Sequence, residues 1–142
     1  MLKRITKIFL ILYVFFLFTT CCMAAVDQSD KQFNVVTPLW TYITQFNNTL
    51  SISTTGKAEI ESCLYSFDSD ELQVVAELQQ LSNGIWTTIK SWESYSASIS
   101  CSVSEAWYVE AGHYYRLVST GTVYISGMPV EQSQYIGQEK WY

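Results

Sequence analysis

The sequence predicts an all-β protein, an antiparallel sandwich behind a short N-terminal leader. Three observations carry that expectation. From Pro38 onward, Thr, Val, Ile, Tyr and Trp fall in short runs broken by Gly, Asn and Ser, the composition and punctuation of strands and turns. Within the runs, apolar and polar residues alternate, as in sheets wetted on one face. An Asn-Gly pair, Asn83-Gly84, separates two such runs and marks a tight hairpin.

Residues 1–25 read as a signal peptide. Lys3, Arg4 and Lys7 precede an apolar run from Ile8 to Phe18, and small residues follow as far as Ala24 and Ala25. The run is shorter than the roughly 20 residues of a membrane-spanning helix and suits the central region of a secretory signal. Cleavage is expected after Ala24 or Ala25, giving a secreted protein. The alternatives are a lipid anchor on Cys21 or Cys22 and an uncleaved leader. Phe18-Thr19-Thr20 is a poor lipoprotein signal, which disfavours the lipid-anchored form. Residues 26–37 are polar and aperiodic and read as a flexible tail. Residues 38–142 form the domain.

The chain beyond the leader carries five basic and thirteen acidic residues, a formal charge of −8. Nucleic-acid affinity is built from Lys and Arg contacts to phosphate, so no nucleic-acid partner is expected. Nor is a membrane partner expected once the signal is removed. The length suffices for one self-supporting core.

Strands are expected at about 40–53, 57–66, 71–80, 85–92, 97–103, 113–125 and 129–140. Ala58, Ile60, Ser62 and Leu64 share one face of the second. Leu72, Val74, Ala76 and Leu78 share one face of the third, with Gln73, Glu77 and Gln79 opposite. Ile99, Cys101 and Val103 alternate with serines in the fifth. Two half-wetted sheets must cover each other's apolar faces. Seven such strands fit an immunoglobulin-like antiparallel β-sandwich. The Asn83-Gly84 turn pairs Leu78 with Ile89, Glu77 with Lys90, Gln79 with Thr88, Val75 with Trp92, and Leu81 with Trp86. That register puts Trp86 and Trp92 on one outward face with Glu77 and Lys90. Gly112-His113-Tyr114-Tyr115-Arg116-Leu117 resembles the start of the sixth strand in fibronectin type III and related sandwiches. There a tyrosine, here Tyr115, bonds its hydroxyl to nearby backbone.

Cys63 and Cys101 are the two cysteines beyond the leader. A disulfide between them is one reading. The strand phases slightly favour the other, two free thiols, because they aim Cys63 outward and Cys101 inward. Asn47-Asn48-Thr49 spells a glycosylation acceptor, meaningful in a eukaryotic secretory pathway.

Catalytic chemistry finds little support. His113 is the one histidine and falls in a turn. Glu59 and Glu61 lie on the outward face of a strand. Asp68, Asp70 and Glu71 cluster in a loop and are a weak calcium candidate. No cofactor motif is present, and no enzymatic activity is expected. Aromatic side chains are the remaining signal, because they stack on sugar rings and anchor interfaces. Trp86 and Trp92, with Lys90 and Glu77 beside them, form the candidate ligand-binding set.

Several segments together resemble an uncharacterised family, a domain of unknown function in small secreted proteins of Gram-positive bacteria. They are Pro38-Leu39-Trp40-Thr41, Leu50 to Ser53 with Gly56-Lys57-Ala58, Leu78 to Trp92, Ser100 to Ser104, and Gly112 to Leu117. The resemblance implies a compartment and a β-sandwich and lends no activity. The function expected is a secreted, non-catalytic binding module for a protein, a cell-wall polymer or a cell-surface glycan. The alternative is a structural or self-associating surface protein, and a secreted hydrolase is disfavoured.

Overall fold

The computed structural model describes residues 39–142. The signal peptide assigned to 1–25 and the tail assigned to 26–37 lie outside the described residues. The described chain is all strand and turn. Its strands are β1 (Ile43–Ile52), β2 (Lys57–Ser66), β3 (Glu71–Ser82), β4 (Ile85–Ser96), β5 (Ser100–Tyr108), β6 (Tyr114–Ile125), β7 (Met128–Ile136) and β8 (Lys140–Trp141). They form two antiparallel sheets, ordered β1-β2-β5 and β4-β3-β6-β7, with β8 also pairing β6. This is an immunoglobulin-like sandwich with the fourth strand on the larger sheet. The reason is local. A two-residue turn joins β3 to β4, with Asn83 at φ 53° and Gly84 at φ 78°, so β4 must pair the strand it has just left. A second turn of the same kind, Ser126 (φ 53°) and Gly127 (φ 74°), joins β6 to β7.

The apolar faces expected on the second and third strands are inside. Ala58, Ile60 and Leu64 on β2 face Leu72, Val74, Ala76 and Leu78 on β3, and Leu117 and Val123 on β6, all buried. Each large aliphatic side chain buried this way is worth roughly 1.5–3 kcal/mol. Gly121 of β6 sits opposite Leu64 and Phe46, and a Cβ there would lie 3.0 Å from Leu64 Cδ1. A missing side chain on one sheet thus seats bulk from the other. Tyr115, also buried, donates its hydroxyl to the Glu110 carbonyl at 2.7 Å, the corner bond anticipated from its sequence context. Ile99 departs from expectation. It precedes β5 and is exposed.

Two other departures have physical causes. The expected strand 129–140 divides into β7, which pairs Val118–Ile125, and β8, which pairs Tyr114 and Tyr115. At the break, Asn48 reaches in from β1 and donates Nδ2 to Leu117 O, Ser119 Oγ and Tyr135 O. Gly137 backs onto that side chain, and a Cβ there would lie 2.8 Å from Asn48 Oδ1. The second departure lies in the β3–β4 register. Near the turn the pairs are as expected, with Gln79 opposite Thr88 and Leu81 opposite Trp86. Then a bulge intervenes, and Leu78 faces Lys90 instead of Ile89, with Ile89 as the extra residue. Beyond it Glu77 faces Ser91, Ala76 faces Trp92, and Val75 faces Glu93. One inserted residue inverts every later side chain, because strand side chains alternate.

The open edges of the sandwich are sealed differently. Between β4 and β5, Lys90 Nζ lies 4.7 Å from the Trp107 ring centre and 5.8 Å from that of Trp92. Nearby, Cys101 Sγ approaches Ser94 O at 3.3 Å. Between β1 and β7, the Glu131 carboxylate accepts the backbone N–H groups of Thr41, Tyr42 and Ile43 at 2.7–2.8 Å. Burial pushes its carboxyl up, but those three bonds outweigh burial and hold its pKa below 4.5.

Candidate functional site

The outer face of the five-stranded sheet carries the most distinctive arrangement. At the end nearest the Asn83-Gly84 turn, Trp86 on β4 opposes Leu81 on β3. Leu81 opposes Tyr114 on β6, and Tyr114 opposes Trp141 on β8. The four residues form one straight row across four strands. Neighbouring strands lie about 4.8 Å apart, so the row spans about 14 Å. Tyr114 and Trp141 are 43% and 61% exposed, with ring centres 4.8 Å apart. Trp86 is half-buried, because the Arg116 guanidinium lies over its ring at 4.3 Å.

A polar network continues from the row. Arg116 Nε donates to Gln79 Oε1 at 2.9 Å, and Gln79 Nε2 donates to Thr88 Oγ1 at 3.3 Å. Thr88 Oγ1 donates in turn to Glu77 Oε1 at 3.2 Å. At the far end of the face, Gln73 links Tyr124, Tyr95 and Glu93. Amides and hydroxyls dominate between the two ends. Among the described residues, Arg116 forms no ion pair.

This arrangement corrects the residue set expected from sequence. Trp86 and Glu77 lie on the outer face, as expected. Trp92 and Lys90 do not. The bulge turns them inward, where they close the β4–β5 edge against Trp107 and the core. Tyr114 and Trp141 complete the row in their place. Sequence reading missed them because Trp141 belongs to a separate short strand that, among the described residues, pairs the start of β6. The signal that could have found Trp141 was its possible pairing with Tyr114, and nothing local fixes that register.

The other candidates disperse. Asp70 Oδ2 accepts the Ser126 N–H, and Glu71 enters β3 opposite Tyr124. Among the described residues, no three acidic, cysteine or histidine side chains converge on a metal position, so Asp68, Asp70 and Glu71 make no calcium cage. Glu59 and Glu61 line a shallow depression of about 510 Å³ on the outer face of the smaller sheet, and Lys57 Nζ meets Glu59 at 2.6 Å. His113 follows Gly112 in a bend, its ring edge-on to Tyr115. Asn47 is exposed on β1.

Cys63 and Cys101 are free thiols. The disulfide alternative fails because Cys63 pairs Ser102 while Cys101 pairs Leu64, so the two side chains leave opposite faces of the sheet. Burial pushes both thiols above their ordinary pKa.

Comparison with known protein families and with curated proteins finds no match to this chain.

Proposed function

We propose that this chain is a secreted, non-catalytic binding module whose ligand lies on the outer face of the five-stranded sheet. The observation that carries the reading is the row of Trp86, Leu81, Tyr114 and Trp141. Large aromatic side chains left in water on a rigid sheet are the usual anchors of recognition surfaces. Rigidity matters because the ligand then bears little of the cost of ordering the protein. The polar groups beside the row hold one another in fixed positions through Gln79 and Thr88. The apolar leader supports secretion, and the segments quoted above support kinship with secreted Gram-positive proteins.

The test uses the purified protein on intact Gram-positive cells, beside Trp86→Ala and a second variant, Tyr65→Ala, on the outer face of the smaller sheet. Saturable cell binding that Trp86→Ala abolishes and Tyr65→Ala retains is the expected result. Equal binding by all three proteins would remove this face from the reading. Sequencing the N-terminus of protein recovered from culture medium tests secretion, with a start at Ala25 or Val26 expected.

A further inference from the structure

We propose that the row binds an extended, uncharged glycan that runs from the Arg116-capped Trp86 across Leu81 and Tyr114 to Trp141; this rests on the reading of the five-stranded face as the binding face. Geometry is the first support. The row is straight and advances one strand at a time over about 14 Å, while a chain of equatorially linked sugars presents a succession of flat C–H faces. Tyr114 and Trp141 stand at 63° to each other, so the row offers ring faces and edges along one line, and a linear polymer can follow that line where a folded protein's irregular relief cannot.

The neighbouring chemistry is the second support. Groups that can reach ring hydroxyls from the row are the Gln79 amide, the Thr88 hydroxyl and the unused N–H groups of Arg116. The Arg116 guanidinium is stacked on Trp86 and bonded to Gln79, so it forms part of the floor.

Charge is the third. Residues 39–142 hold 11 Asp and Glu against 4 Lys and Arg, and Glu77 borders the row through Thr88. A polyanion approaching this face meets net repulsion. An uncharged polymer does not.

Size disfavours a second copy of the chain. Aromatic side chains present about 150–250 Å² each, so the row exposes apolar area on the order of 300–400 Å². A stable protein interface buries about 800 Å² per partner.

The experiment titrates the purified protein with three soluble probes, following tryptophan fluorescence and calorimetric heat. The probes are a β-linked glucan oligomer, a chitin oligomer and a polygalacturonate of similar length. The expected result is saturable binding of at least one uncharged oligomer and little of the polygalacturonate. Trp86→Ala and Trp141→Ala should each weaken that binding at least about tenfold. Trp86→Ala guards against the case in which Trp141→Ala simply frays β8. Tyr95→Ala, at the far end of the same face, should bind as the parent does. Preference for the polygalacturonate would overturn the assignment of an uncharged ligand. Cell binding that depends on Trp86, without binding to any oligomer, would overturn the glycan while leaving the proposed face intact. Absence of both would overturn the two together.

Discussion

Trp86 and Trp92 lie six positions apart on the same strand and do opposite things. Trp86 stands on the outer face under Arg116. Trp92 turns inward, faces Ala76 across the ladder and packs with Lys90 and Trp107 at the sandwich edge. An even separation should put them on the same side. The single extra residue at Ile89 is the whole difference. One tryptophan closes the fold, and the other lies on the outer face beneath Arg116. An aromatic residue therefore says little about function until its face is known.

Shifting the register beyond the bulge is the sharpest way to break this contrast. Deleting Ile89 would leave Trp86 and Trp92 five positions apart and still on opposite faces of a regular strand. Inserting one alanine between Lys90 and Ser91 instead turns Trp92 outward and Glu93 inward. Loss of more than about 4 kcal/mol, or of cooperative unfolding altogether, is expected in urea denaturation.

Trp92→Ala tests the closing role alone. It removes a ring packed on the core edge and strands Lys90 against Trp107, so a loss of about 2–4 kcal/mol is expected. Trp86→Ala should lose less than about 1 kcal/mol, chiefly the stacking of Arg116, while abolishing ligand binding. If the two variants were equally destabilised, the separation into a structural and a recognition tryptophan would fail.

The opposite edge allows an intermediate test. Glu131→Gln removes a charge that holds three backbone N–H groups, and about 1–2 kcal/mol should be lost at pH 7. The pH dependence has a definite sign. The folded-state pKa of Glu131 lies below its ordinary 4.5, so its charge stabilises the fold fully above that value and loses its effect as pH falls through the folded pKa. The stability gap between parent and variant should hold from pH 7 down to about 5 and shrink below it. A gap that stayed constant into acid would mean the carboxylate charge is not what holds Thr41, Tyr42 and Ile43.

The smallest effect expected is at the thiols. Cys101 is buried and Cys63 half-buried, and burial raises both pKa values. In the native protein, alkylation at neutral pH should be slow at Cys63 and slower still at Cys101. Rapid labelling of Cys101 would mean that the β4–β5 edge opens.

Much of the fold was legible in local pattern. Alternation along β2 and β3 identified the buried faces correctly, since Leu64, Leu72, Val74 and Leu78 could satisfy only one side of a sheet. Asn83-Gly84 located a turn because few other pairs accept positive φ at both positions. Tyr115 was recognisable from the glycine three residues before it. These features depend on a residue and its near neighbours, and they survive any tertiary arrangement that buries one face of each strand.

What tertiary structure decided was register over distance. The Ile89 bulge, the break at Gly137 beside Asn48, and the alignment of Trp141 with Tyr114 each depend on contacts between segments far apart in sequence. A one-residue slip changes no composition and no local propensity, yet it exchanges the inside and outside of a strand. The sequence by itself therefore determined that this is a β-sandwich rich in aromatic side chains. Only packing between the sheets and across the ladder determined which aromatics face the core and which form a row in water.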